Sequence, residues 1–173
     1  MGTTSLGIYY PDPSGVPKRQ DFQDMATTAN AAILAAAPPG SWPTYAASWT
    51  ASGTNPAIGN GSIAGRYIQI GKTVIFRVNI SMGSTTTYGS GQYSVSLPTA
   101  ANAAGLQIDV RCDVAIAGAA YDARGRIVAG GTSVLLYCDP TTAGGSSRAV
   151  AATAPATFAN GSLIVVQGTY EAA

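Results

Sequence analysis

Val74-Ile75-Phe76-Arg77-Val78-Asn79-Ile80-Ser81-Met82 decides the fold class of this chain. Along an extended backbone Val74, Phe76, Val78, Ile80 and Met82 fall on one side, and Ile75, Arg77, Asn79 and Ser81 on the other. That period of two belongs to a half-buried strand with one face in a core. The same alternation recurs downstream. Tyr93, Val95 and Leu97 alternate with Gln92, Ser94 and Ser96, and Ile108, Val110, Cys112, Val114 and Ile116 alternate with Asp109, Arg111, Asp113 and Ala115. Both read as antiparallel strands.

Outward from these runs, the spacing predicts further strands near Tyr45 to Trp49, Gly65 to Ile70, Tyr121 to Val128, Ser133 to Cys138, Ala149 to Ala152 and Leu163 to Tyr170. Asn60-Gly61, Gly89-Ser90-Gly91, Gly130-Gly131, Gly144-Gly145 and Asn160-Gly161 separate them as turn signals. Short strands at this spacing are expected to form a mainly β fold, an antiparallel, jelly-roll-like β-sandwich. Leu163-Ile164-Val165-Val166 is apolar on both faces, as for a strand whose outer side meets another layer or another subunit.

The N-terminal part reads differently. Ile8-Tyr9-Tyr10 runs into the turn signal Pro11-Asp12-Pro13-Ser14-Gly15. Arg19 to Ala37 lacks Gly and Pro, and repeats Phe22, Met25, Ala29, Ala32 and Ala36 at helical spacing, with Asp21 and Asp24 near its start. Pro38-Pro39-Gly40 ends this helix. Two regions follow: 1–40, an attachment segment with a helix, and 41–173, a β head. The narrow, Ala-rich stripe fits close packing against copies of itself, so Phe22, Met25, Ala29, Ala32 and Ala36 are the candidate oligomer interface. Packing of the helix on its own sheet is the alternative.

Composition narrows the function classes. Charged residues make up 10% of the 173 residues, with nine Lys and Arg against eight Asp and Glu. So low a charge content suggests a surface covered by other subunits. Lys18, Arg19, Arg66, Lys72, Arg77, Arg111, Arg124, Arg126 and Arg148 are scattered along the chain, so no basic patch can be read and nucleic acid is not an expected partner. Met1-Gly2-Thr3-Thr4-Ser5-Leu6 has neither a basic region nor an apolar stretch, so neither a secretory signal nor membrane insertion is expected.

Histidine is absent, and with it the commonest general base and metal ligand. No enzymatic activity, cofactor or metal is expected. A glycan depolymerase would have to use acids such as Asp122 or Asp139, and no spacing selects a pair. Cys112 and Cys138 sit in alternating apolar runs and read as buried free thiols rather than a disulfide. Asp109, Arg111 and Asp113 share one strand face. They can line a cation site or form a salt-bridged ladder, and Arg111 between the carboxylates favours the ladder.

Among the aromatic residues, Trp42, Tyr45, Trp49, Tyr88, Tyr121 and Tyr137 can stack on sugars, although most are expected in the core or an interface. Tyr88 lies in the polar loop Thr85-Thr86-Thr87-Tyr88-Gly89-Ser90-Gly91 and is the candidate ligand-facing ring.

Three stretches carry a family resemblance: Trp49-Thr50-Ala51-Ser52-Gly53-Thr54-Asn55-Pro56, Gly65-Arg66-Tyr67-Ile68-Gln69-Ile70-Gly71-Lys72-Thr73-Val74, and Gly83-Ser84 continuing into the Tyr88 loop. With the closing Pro155 to Glu171 region they resemble the C-terminal domain of bacteriophage tail-fibre and minor tail proteins. Asp21-Phe22-Gln23-Asp24-Met25 and the Ala-rich helix resemble the attachment ends of small phage structural proteins. The resemblance implies a homotrimer on the virion surface, joined to other tail or capsid proteins by its N-terminal segment, with binding of host surface glycans left open. It supplies no binding residues. A capsid head-fibre or decoration protein stands as the alternative because no long shaft is present, and a monomeric carbohydrate-binding module is the rival from another class.

Overall fold

Strict alternation along Thr73–Ser81 builds an interior strand of a large antiparallel sheet. The computed structural model describes 42–139 and 146–173, together with the strands β1 (Gly2–Thr3) and β2 (Tyr9–Tyr10) and the helix α1 (Arg19–Ala36), the helix side chains as far as 31. The expected turns at Pro11–Gly15 and Gly144-Gly145, the Pro38-Pro39-Gly40 stop, and the side chains of Ala32 and Ala36 lie outside the described residues.

The chain divides into two units, Met1–Pro39 and Gly40–Ala173. In the first, β1 and β2 pair antiparallel. Along α1, Gln20 Nε2 donates to Asp24 Oδ1 at 2.8 Å, and the Thr27 and Thr28 hydroxyls donate to the carbonyls of Gln23 and Asp24. Phe22 is 58% exposed and Met25 36%. Ala29 is half-buried.

The second unit holds β3 (Thr44–Tyr45), β4 (Trp49–Ala51), β5 (Ser62–Ile70), β6 (Thr73–Ser81), β7 (Tyr93–Ser96), β8 (Ile108–Ile116), β9 (Ala119–Ile127), β10 (Ser133–Cys138), β11 (Arg148–Ala149) and β12 (Leu163–Glu171). Their order in the sheet is β3-β5-β6-β12-β8-β9-β10-β7-β4, with β11 on β10. The fold is mainly β and antiparallel throughout, as the alternation predicts.

Closure follows from the connection between the two sheet ends. Laid flat, eight strand spacings would separate β3 from β4 by about 38 Å. Yet only Ala46, Ala47 and Ser48 join Tyr45 to Trp49, a reach of about 14 Å at most. The sheet therefore curls until its edges meet. Tyr45 Oη donates to the Ser96 carbonyl at 3.0 Å, and Ser48 N donates to Ser96 Oγ at 2.8 Å, fastening the seam.

Inside the curl lies one core, with Val74, Val78, Ile80, Tyr93, Val95, Val134, Leu136, Val150, Ile164 and Val166 all fully buried. Trp49, Tyr93 and Phe158 meet edge to face, with ring centroids 5.0 and 5.7 Å apart. Val74, Phe76, Val78, Ile80 and Met82 are all core residues, while Arg77 and Ser81 face outward.

The structure departs from the sequence expectation at three places. Tyr45 to Trp49 is not one strand: Ala47 N donates back to the Tyr45 carbonyl at 2.9 Å. This tight three-residue turn sends the two halves to opposite sheet edges. The strand expected at Ala149 to Ala152 ends at Ala149, because Ala151 and Ala154 exchange backbone hydrogen bonds and turn the chain back. The strand expected from Gly65 begins at Ser62, where Ser62 to Ala64 pair with Ser81 to Asn79.

Candidate functional site

Side-chain chemistry outside the core gathers on the outward face of the sheet, because residues that alternate away from the core line up in cross-strand rows. In one row Arg66 (β5) stands opposite Arg77 (β6), Arg77 opposite Gln167 (β12), Gln167 opposite Arg111 (β8), Arg111 opposite Arg124 (β9), and Arg124 opposite Tyr137 (β10). Cations that are scattered in the sequence thus share a single register row, which their positions along the chain do not reveal. Each arginine already sat on the polar side of its own strand. Only the pairing of strands brings them together.

The two ends of this row differ. On β8 and β9 the guanidiniums are engaged: Arg111 Nε lies 2.8 Å from Asp113, and Arg126 Nε 3.3 Å from Asp109. Of the salt-bridged ladder expected of Asp109, Arg111 and Asp113 against neighbouring strands, the Asp109–Arg126 pair crosses from β8 to β9, whereas Arg111 and Asp113 pair within β8, and the Arg111 hydrogen bond holds the Asp113 carboxyl below the usual carboxylate range. Arg124 donates through Nη2 to Ser147 Oγ, while Arg126 stacks 5.1 Å over the Tyr137 ring. No group of three or more metal-ligating side chains occurs among the described residues.

On β5 and β6, by contrast, neither Arg66 nor Arg77 has a carboxylate or hydrogen-bond partner among the described residues. Like charges directly opposite in a sheet repel, and no carboxylate among the described residues offsets this juxtaposition. Ala64, Arg66, Arg77 and Asn79 line an open cavity of about 280 Å³. At its side the Asn79 amide makes no hydrogen bond among the described residues, and its Oδ1 is buried. A second cavity, of about 290 Å³, adjoins it through Arg77 and is bordered by Trp42, Ile75, Gln167 and Thr169. Trp42 is 42% exposed.

Trp42, rather than Tyr88, is thus the exposed aromatic that borders these cavities. Tyr88 is half-buried, its ring centroid 6.3 Å from that of Phe158 and its carbonyl accepting from Tyr93 Oη at 2.7 Å. The polar loop around it does not stand free. Its hydrogen-bonding groups are spent on the facing loop, through Thr87 with Ala57, Ser90 with Thr54 and Thr85 with Asn60, and this folds the ring down onto the core. Two of the family-like stretches, Trp49 to Pro56 and Gly83 to Gly91, are thus partners in one loop pair.

The remaining aromatic candidates are committed elsewhere. Trp49 is buried, and Tyr45 holds the seam. Burial raises the hydroxyl pKa of both Tyr45 and Tyr93, which keeps them neutral donors. Tyr121 and Tyr137 are half-buried. Cys112 and Cys138 are buried free thiols. Cys112 and Cys138 both pair with Ala123 of β9, from opposite sides. That puts them two strand spacings apart, about 10 Å, beyond the reach of a disulfide.

The outward groove across β5, β6 and β12 thus offers two uncommitted guanidiniums, two amides, a hydroxyl and an exposed indole. The chain matches no protein-family model, no curated protein and no solved structure.

Proposed function

We propose that this chain is a structural protein of a bacteriophage virion, a homotrimeric tail-fibre or minor tail protein that displays its β head and acts by binding rather than by catalysis. The division into a closed β head, Gly40–Ala173, and a separate N-terminal unit whose helix leaves Phe22 and Met25 exposed carries this reading. Phe22 and Met25, an exposed aromatic and an exposed thioether three residues apart on the helix, form an apolar patch that a partner or a second copy would cover. The N-terminal unit docks on the particle in this scheme, and the head faces the host.

Light scattering on the full-length protein tests the assembly. A mass of three chains is expected, and a stable monomer overturns the trimer. Particles assembled with protein lacking 1–39 test the docking, with loss of incorporation expected and normal incorporation refuting it. Labelled antibody placed on intact particles separates tail from capsid, the capsid result favouring the head-fibre or decoration alternative. The groove at Trp42, Arg66 and Arg77 supports a sugar-binding role for the head. It is equally the observation that favours a monomeric carbohydrate-binding module if the mass is that of one chain.

A further inference from the structure

The geometry points to an anionic saccharide as the ligand of the outward groove, its acidic substituent held between Arg66 and Arg77 and a sugar face laid on Trp42. This deepens the glycan-binding part of the proposed function and rests on it. Three observations converge. First, the two guanidiniums stand opposite each other in register without a counter-charge among the described residues. Each presents a planar fork of donors that matches a carboxylate or phosphate in two-point fashion, and a bound anion removes their mutual repulsion.

Second, the anion cavity opens beside a surface suited to sugar. Arg77 borders both cavities, and the second adds Trp42, Gln167 and Thr169. None of the Asn79, Gln167 or Thr169 side chains is hydrogen-bonded among the described residues. An exposed indole offers an apolar face with a polar edge, while the Gln167 amide and the Thr169 hydroxyl serve saccharide hydroxyls as donors and acceptors. Cavities of about 280 and 290 Å³ fit a short saccharide rather than a large ligand.

Third, the charge beyond the groove limits how long an anion can be. Past Gln167 the row enters β8 and β9, where Asp109 and Asp113 already pair with arginines and Asp122 stands exposed opposite Asp113. On β8 and β9 the charges of Arg111, Arg124 and Arg126 are offset by those of Asp109, Asp113 and Asp122, so a polyanion running along the sheet finds no net positive charge there, whereas Arg66 and Arg77 have no carboxylate beside them among the described residues. A nucleic acid backbone needs a continuous basic track, which this face does not provide.

The test is calorimetric titration of the full-length protein with galacturonate oligomers, a glycan-phosphate oligomer, a neutral glucan oligomer, inorganic phosphate and a single-stranded oligonucleotide. Acidic oligomers are expected to bind, and the neutral one at least about tenfold more weakly, with affinity falling as salt rises. Preference for the carboxylate or the phosphate oligomer identifies the source of the charge. Arg66→Gln and Arg77→Gln are each expected to weaken acidic binding about tenfold without lowering the melting temperature, since both side chains face solvent and each change relieves the repulsion between them. Trp42→Ala is expected to weaken oligomer binding while leaving phosphate binding in place.

Equal binding of neutral and acidic oligomers, insensitive to Arg77→Gln, overturns the anion proposal and leaves glycan binding standing. Absence of binding to every saccharide overturns both. A lower solution mass for the Arg66→Gln, Arg77→Gln double variant makes this face a subunit interface and refutes the ligand site. Tighter binding of the oligonucleotide than of any saccharide refutes it as well.

Discussion

Gly125 lies inside the curl of the sheet, on β9, at a position where any side chain collides with the core. A Cβ built there meets Val134 Cγ1 at 2.4 Å and Val110 Cγ2 at 2.7 Å. Both are well inside van der Waals contact, and β-branched side chains in a strand have few rotamers into which to retreat. Gly125→Ala therefore forces one or both valines off their preferred geometry, an overpacking cost of about 1–3 kcal/mol. Relief of the glycine's backbone entropy returns about 0.5–1 kcal/mol. The net expectation is destabilisation of about 1–2 kcal/mol, which for a chain of this size lowers Tm by about 2–8 °C.

Urea titration and thermal melting measure this change, with the slope of the urea transition unchanged. A second variant isolates the cause. Val134→Ala by itself removes buried methyl groups and costs about 2 kcal/mol or more. In the double variant the new methyl occupies the space vacated at Val134, so the combined loss should fall short of the sum by about 1 kcal/mol. A Gly125→Ala protein that melts at the wild-type temperature, or a strictly additive double variant, would falsify the packing of β9 against β8 and β10 described above.

Other outcomes follow from the same structure. Phe158→Ala empties a buried site between Tyr88 and Tyr93 and should cost about 3–5 kcal/mol by urea titration. Tyr45→Phe removes the hydroxyl that joins the sheet edges through Ser96, with a loss of about 1 kcal/mol and faster amide exchange at the seam by hydrogen-exchange mass spectrometry. Burial raises the Cys112 thiol from 9.0 to about 12, so a thiol reagent at pH 8 should label it only after unfolding. The sign for stability follows: the neutral buried thiol contributes fully below pH 9, and that contribution is lost as pH rises from 9 towards 12. Asp113→Asn removes an exposed ion pair and should change stability by less than about 1 kcal/mol, an effect that shrinks further in salt.

Which residues face the core could be read directly from the chain. Side chains in a strand alternate, so Val74, Phe76, Val78 and Ile80, Tyr93 and Val95, and Cys112 and Val114 declare their side without knowledge of any partner. The helix was equally legible, because its spacing and the proline stop are local. Tyr88 is not legible in this way, for the opposite reason. A polar loop reads as exposed until the second loop that consumes its hydrogen bonds is in place, and that loop lies some thirty residues earlier in the chain, as Thr87 with Ala57 illustrates.

The amino-acid sequence by itself determined the strands, their inward faces, the N-terminal helix and the absence of histidine chemistry, because periodicity and composition are properties of neighbours along the chain. The tertiary structure alone decided which strands pair. It set β12 between β6 and β8, split Tyr45 from Trp49 across the seam, and placed Arg66 opposite Arg77 beside Trp42. Alternation tells each strand which side to bury but not which strand lies next to it. A site assembled from outward-facing residues of β5, β6 and β12 exists only once the register is set by the closing of the sheet.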